Sequence, residues 1–208
     1  PQGMDPASID AIEFVIAKLP EPFHSASYFY QFSSSTGILR PDGSPLKRGL
    51  NVHIFFWFSR SITGPDLTAY LKQHCIETGF LDRTFDKAGS PIIRYGVDFA
   101  VFRTVQPHYI AAPIIKDGVI CTLPADKRQG LIQKASGSVE VPLLDPGLTW
   151  QVEREHRQIL DEHKRAHGWV KAKSVTKARS GGVAVSEYFR NSNPAAIATG
   201  RQLVDVKI

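Results

Sequence analysis

Three places in the 208-residue sequence hold side chains able to do chemistry in surroundings that packing alone does not explain. Ser33-Ser34-Ser35-Thr36 is a run of hydroxyls closed by Gly37. His53 stands inside the apolar run Asn51-Val-His-Ile-Phe-Phe-Trp-Phe-Ser59, and Asp98 is the one acid in Ile92-Ile-Arg-Tyr-Gly-Val-Asp-Phe-Ala-Val-Phe-Arg103. Small residues with accessible backbone N–H groups beside an imidazole can hold phosphate oxygens, and a carboxylate binds a hard divalent cation. Taken singly, each has a plainer reading: a buried histidine bonded to backbone, or an aspartate capping a turn. Taken together they suit phosphoryl or nucleotidyl transfer. A metal that activates a hydroxyl and neutralises a triphosphate needs two or three acidic ligands, and the sequence offers Asp98 alone. Asp5 precedes a proline and Asp10 opens a helix, so these two read as a turn residue and an N-cap.

The elements that must position these residues follow from periodicity. Ile12, Val15, Ile16 and Leu19 recur at i, i+3, i+4, i+7, which predicts a helix over 10–19 stopped by Pro20 and Pro22. Ser27-Tyr-Phe-Tyr-Gln-Phe32 alternates as a strand that runs into the serine turn, and 39–49 is a Pro/Gly/Lys/Arg loop. Residues 51–59 are apolar on both faces, which predicts a central strand. Pro65 with Leu67, Tyr70 and Leu71 predicts a helix from Thr63. Residues 92–103 read as a second strand group, 109–115 as an edge strand that tolerates Pro113, and 150–167 as a charged helix. The stretch 171–182 has too little apolar content to pack and reads as a linker.

Composition sets the outer limits. With 42% hydrophobic and 22% charged residues, 16 Gly and 14 Pro, a coiled coil and wholesale disorder are excluded, and a mixed α/β domain with many turns remains. Only Cys75 and Cys121 are present, with no CxxC pair, so structural zinc and a disulfide framework are not expected. No apolar run approaches the roughly 18 residues of a membrane span, and the first residues lack a secretory pattern, so a cytoplasmic protein is expected. A start at Pro1 and an end at Asp205-Val-Lys-Ile208 read as part of a longer chain. Residues 1–149 hold 14 Lys/Arg and 14 Asp/Glu, while the last 59 carry 11 basic against 6 acidic groups. The entire +5 excess therefore lies in the tail, which suits a polyanion partner or a solvated linker.

The order Leu19-Pro-Glu-Pro-Phe23, Gln31-Phe-Ser-Ser-Ser-Thr-Gly37, Leu50-Asn-Val-His-Ile-Phe-Phe-Trp-Phe58 and Val97-Asp-Phe-Ala-Val-Phe-Arg-Thr-Val-Gln-Pro-His-Tyr-Ile-Ala-Ala-Pro113 resembles the primase domain of phage and plasmid replication proteins, in the archaeo-eukaryotic primase superfamily. The similarity covers roughly residues 9 to 130. It implies an α+β fold with an RRM-like antiparallel sheet flanked by helices. It also implies metal-dependent, template-directed nucleotidyl transfer on single-stranded DNA from nucleoside triphosphates.

On this resemblance His53, with Ser33, Ser34, Ser35 and Gly37 before it, looks like the nucleotide-contacting motif, and Val97-Asp98 looks like the motif completing a Mg²⁺ or Mn²⁺ site. The acidic pair of the family's first motif is absent from the chain and is expected upstream of Pro1. Arg103 would neutralise phosphate, while Lys47, Arg48, Gln106, His108 and Tyr109 would face template or cleft. Residues 1–148 would form the primase-like domain. Residues 149–208 would be a charged helix and basic linker toward a fused or partner helicase. Two rival expectations stand beside it. One is a non-catalytic nucleic-acid-binding module in which Tyr28, Tyr30, Phe55 and Trp57 stack on bases. The other is a degenerate replication-initiation protein on the same fold.

Overall fold

The computed structural model describes residues 4–47, 49–103, 114–115 and 118–169. They form a mixed α+β structure of three α-helices and small antiparallel sheets. Helix α1, Ile9–Ile16, is capped by Ser8, whose hydroxyl oxygen accepts the Ala11 N–H at 3.1 Å. Asp10, expected as the cap, lies in the first turn instead, where its charge still favours the helix N-terminus. Strand β1, Tyr28–Phe32, is followed by the two-residue β2, Ile38–Leu39, and then by β3, Val52–Phe56. Helix α2, Gly64–Thr78, starts at Thr63, whose side chain accepts the Asp66 N–H, and it stops at Gly79 in the left-handed conformation.

The hairpin of β4, Leu81–Phe85, and β5, Pro91–Tyr95, comes next. β6, Ile120–Cys121, pairs with β2, and β7, Gln129–Ile132, completes the main sheet in the order β3-β1-β7. The last element is α3, Leu148–Ala166.

The sheet shows why α1 is where it is. Tyr28, Tyr30 and Phe32 of β1 share a face with Val52, Ile54 and Phe56 of β3, and Ala11, Ile12, Val15 and Ile16 of α1 pack against that face. A second cluster joins Leu19, Phe23, Leu67, Leu71 and Val139 beneath Phe56 and Phe58. Leu19 belongs to this second cluster because the chain tightens after Ile16, with the Leu19 N–H bonded to the Ile16 carbonyl, so the apolar stripe outlasts the helix.

Two expectations change, and one strand, β4, was not expected. The central strand of the described sheet is β1, with β3 beside it at the edge, and Trp57, just past β3, is 58% exposed. β4, with its polar Leu-Asp-Arg-Thr-Phe sequence, gave no alternating apolar signal and is held by pairing with β5. The strand expected over 92–103 ends at Tyr95, and Phe99–Phe102 is a 3₁₀ turn. Of the expected edge strand only Ile114 and Ile115 are described, and the linker over 171–182 lies outside the described residues. Among the described residues no helix is long and apolar enough to cross a membrane.

α3 docks on α2 and the β4–β5 hairpin largely through titratable groups. Val152 is fully buried, and around it Lys72 Nζ meets Glu153 Oε1 at 2.7 Å. Tyr95 Oη lies 2.8 Å from His156 Nδ1, and His163 Nε2 lies 3.0 Å from the Thr84 carbonyl. Burial raises the Tyr95 hydroxyl above its ordinary pKa, so it donates, and His156 must offer an unprotonated Nδ1. Burial and the Lys72 cation hold the His156 imidazole below its ordinary value, and the Lys72 hydrogen bond does the same for Glu153. A depressed histidine takes its proton when undocked and not when docked. Docking is therefore at full strength above about pH 6.5 and weakens as pH falls below it. Hydrogen exchange of α3 amides, corrected for intrinsic rates, should show opening that grows between pH 7 and 5.5 and loses this dependence in His156→Gln; pH-independent opening in the native chain would contradict it.

Candidate functional site

The serine turn and His53 lie 16 or more residues apart in sequence, and β1–β3 pairing closes the gap. Gln31 stands opposite His53 in the antiparallel register, and two residues further along β1 the Ser33 N–H donates to the Asn51 carbonyl at 2.9 Å. Thr36 Oγ1 donates to the same carbonyl at 3.0 Å, so the turn is pinned to the start of β3. By strand alternation Ser33, Gln31 and His53 share the sheet face opposite α1. Ser33 and Ser35 hydroxyls lie 3.0 Å apart, and Ser34 is exposed.

Behind the turn is a buried cation. Arg128, 7% exposed, donates to the Ser33 carbonyl at 3.4 Å, the Thr36 carbonyl at 3.0 Å and Cys121 Sγ at 3.0 Å. Its planar fork ties the carbonyl side of the turn inward, and the Ser35 and Thr36 N–H groups bond within the turn, to Ser33 Oγ at 3.4 Å and the Ser33 carbonyl at 2.9 Å, so the exposed Ser34 is what the turn presents outward. Gly37 completes the turn at φ +74°, and a Cβ there would lie 2.6 Å from Leu123 Cβ, so no larger residue fits.

Asp98 is placed by different means. Gly96 lets the chain pass the Phe80 ring, where a Cβ would collide, and its N–H bonds the Phe80 carbonyl at 3.0 Å. Asp98 then caps the 3₁₀ turn, Oδ1 accepting the Ala100 N–H at 2.8 Å. The backbone of Phe102 closes on Gly64 at the start of α2, which fixes the turn against that helix.

His53 and Asp98, 45 residues apart in sequence, line one cavity of about 290 Å³. Its remaining wall is apolar: Phe23, Phe56, Leu67, Leu71 and Phe102 among others. Ser33, Ser34, Ser35 and Gly37 are not part of this wall and adjoin it only through the β1–β3 register. Arg103 is exposed just beyond the 3₁₀ turn, and Lys47 is half-buried in the loop before β3; neither lines the cavity. Arg48, Gln106, His108 and Tyr109 lie outside the described residues.

The fit to a divalent metal is incomplete. Asp98 spends one carboxylate oxygen on the Ala100 N–H, and among the described residues no group of three His, Cys, Asp or Glu side chains could hold a metal ion. Mg²⁺ and Mn²⁺ need several oxygen ligands, so the described residues do not make a metal centre.

Two aromatic residues of the base-stacking expectation are corrected. Tyr28 and Tyr30 are buried on the α1 face, with Tyr28 Oη donating to Glu13 Oε1 at 2.6 Å, because strand alternation puts them opposite His53 and Phe55. Phe29 replaces them on the His53 face, 6.1 Å from the Phe55 ring, and Phe55 stacks in turn with His53. Sequence reasoning missed Arg128 and the apolar cavity wall. No local pattern around Lys127-Arg128-Gln129 marks a buried cation; the tertiary approach of the serine turn buries the guanidinium.

No family model matches the chain, and no curated protein and no solved structure matches it significantly. The site therefore has to be read from its own geometry.

Arg128 makes the sharpest structural prediction. Arg128→Met leaves the Ser33 and Thr36 carbonyls without their donor and should destabilise the chain by about 2–3 kcal/mol in urea unfolding. Arg128→Lys, which lacks the fork, should restore less than half of that loss; full restoration would mean that charge alone, not the two-carbonyl fork, holds the turn.

Proposed function

We propose that this chain is the nucleotide-contacting part of a primase or primase-polymerase domain, built on an RRM-like sheet and acting in nucleotidyl transfer on single-stranded DNA. The observation that carries the proposal is the shared cavity: His53 and Asp98, chosen separately for their chemistry, both line it. Beside it, the serine turn is tied to the strand that bears His53. In this reading the His53 imidazole donates to the phosphate oxygens of a nucleoside triphosphate. The Ser33–Ser35 hydroxyl pair and the exposed Ser34 lie at the end of the same strand pair, where they can extend the anion contact.

Mg²⁺ or Mn²⁺, when bound, would neutralise the triphosphate. Asp98 is the described carboxylate that would meet it, and further acidic ligands would have to come from outside the described residues. Binding and orientation of the triphosphate are thus the roles assigned to this part of the chain. A fused or partner helicase, and template contacts by the basic tail, belong to the same proposal.

A second reading is a single-strand-binding module without catalysis. The 58% exposure of Trp57 and the ring pair Phe29–Phe55 favour it, since bases stack on such surfaces. The two separate on nucleotide binding. A fluorescent nucleoside triphosphate titrated with Mn²⁺ present should bind the chain saturably, and His53→Ala should weaken it by about tenfold, the value of one charge-assisted hydrogen bond. A chain that fails to bind triphosphate, yet binds an oligothymidine in a manner lost with Trp57→Ala, would replace the primase reading with the binding module.

A further inference from the structure

We propose that the outer edge of β3 is a docking site for one extended peptide segment of a partner protein, added to the sheet as a further strand. The backbone directions on β3 follow from two hydrogen bonds. The Phe32 N–H donates to the Arg128 carbonyl, on the β7 side, while the Ser33 N–H donates to the Asn51 carbonyl, on the β3 side. Alternation then turns the backbone groups of Gln31 and Phe29 toward β3, where His53 and Phe55 meet them in register. The bridge that continues the strand agrees, because the Val139 N–H donates to Trp57 and the Ser59 N–H donates back to Val139, again at odd-numbered positions. The N–H and C=O groups of Val52, Ile54 and Phe56 consequently face away from β1, and among the described residues β3 has only that one neighbouring strand.

The strand's own residues carry none of the sequence features that keep sheet edges from pairing. Val52–Phe56 contains no lysine, arginine, aspartate or glutamate, no proline, no glycine and no bulge. It borders the cavity of about 290 Å³, far more empty space than a packed interior tolerates, and the opposite wall is Leu67 and Leu71 of α2 with Phe102 of the 3₁₀ turn. The edge is thus recessed in a slot. A second copy of the chain could not bring its own β3 into this slot, because the same α2 and 3₁₀ turn stand in front of each edge, and a symmetric pairing would also bring two Asp98 carboxylates together.

The chemistry of the slot defines the occupant. Residues of an added antiparallel strand that exchange hydrogen bonds with Val52, Ile54 and Phe56 place their side chains on the same face as those three, toward Phe23 and Leu67, so they must be apolar. Asp98 is the one acidic group on the wall, and it asks for a lysine or arginine in the alternate set. The partner is an extended segment, apolar at every second residue, with a basic residue between. This inference uses the outer backbone, the apolar wall and Asp98 of the same cavity, so peptide and nucleotide would compete there; it does not rest on the nucleotide reading and is tested without nucleotide.

The probe is a fluorescein-labelled heptapeptide, Val-Thr-Val-Lys-Val-Thr-Val, titrated into the full chain by fluorescence anisotropy. Saturable binding is expected, with slowed exchange of the Val52, Ile54 and Phe56 amides. N-methylation of the valines, which removes the donors that reach β3, should weaken binding tenfold or more, while N-methylation of the threonines and lysine should leave it within about twofold. Replacing the lysine by norleucine, or Asp98 by Asn (Asp98→Asn), should each weaken it by about fivefold, and together by no more than either alone. The proposal is overturned by absence of saturable binding at millimolar peptide or by equal effects of the two methylation patterns. It is also overturned if Val52, Ile54 and Phe56 amides already exchange slowly before peptide is added, which would mean that the chain fills the slot itself. Because the methylated peptides leave the protein unchanged, none of these outcomes depends on a variant that fails to fold.

Discussion

The β1–β3 ladder is the constraint on which the rest depends. Its register sets Gln31 against His53 and Phe32 against Val52, and a slip of one residue would move His53 to the α1 face and Val52 out of the core. The buried set of Tyr28, Tyr30, Phe32 and Val52 against α1 forbids that slip, so the same hydrophobic packing that stabilises the fold also decides where the imidazole points. The ladder ends at Asn51, whose carbonyl receives both the Ser33 N–H and the Thr36 hydroxyl. Sheet, turn and histidine are therefore one rigid unit. Asp98 joins the same cavity from a separate segment, on a turn held by Gly96 against Phe80 and by Phe102 against the start of α2.

The two halves of the site are stabilised by opposite physics. The turn behind His53 rests on a buried guanidinium whose partners are carbonyls and a thiol, not a carboxylate. Such a cation keeps its place only while every donor finds an acceptor, since an unpaired buried charge is expensive. The cavity below Asp98 is almost wholly apolar and leaves space unfilled. α3 closes on α2 and β5 through Lys72, Glu153, Tyr95 and His156, a contact built on titratable groups as well as on buried area.

Much of the framework was legible in the sequence because local patterns and tertiary packing agree there. The i, i+3, i+4 stripe of α1, the alternation of β1, Pro65 at the start of α2 and the charged helix α3 all stand where periodicity puts them. Agreement failed where long-range pairing decides. β4 is polar and exists through its partner β5, and Ile92–Arg103 reads as a continuous strand until Gly96 turns the chain past Phe80. The apolar character of both β3 faces suggested a strand between neighbours; in the structure it lines a cavity at the sheet edge. For the site, the types of residue were legible and their grouping was not. Nothing local says that Arg128 lies under Ser33, or that Tyr28 and Tyr30 face the helix while Phe29 faces His53.

Whether His53 and Asp98 act on one ligand in one cavity is measured directly by a double-mutant cycle. Triphosphate affinity with Mn²⁺ is compared for the native chain, His53→Ala, Asp98→Asn and the double variant. Two groups that serve the same bound molecule should show a coupling of about 1 kcal/mol or more, so the double variant loses less than the product of the single losses. Losses that multiply to within about 0.3 kcal/mol would mean that the two residues act independently, and the shared site would not stand.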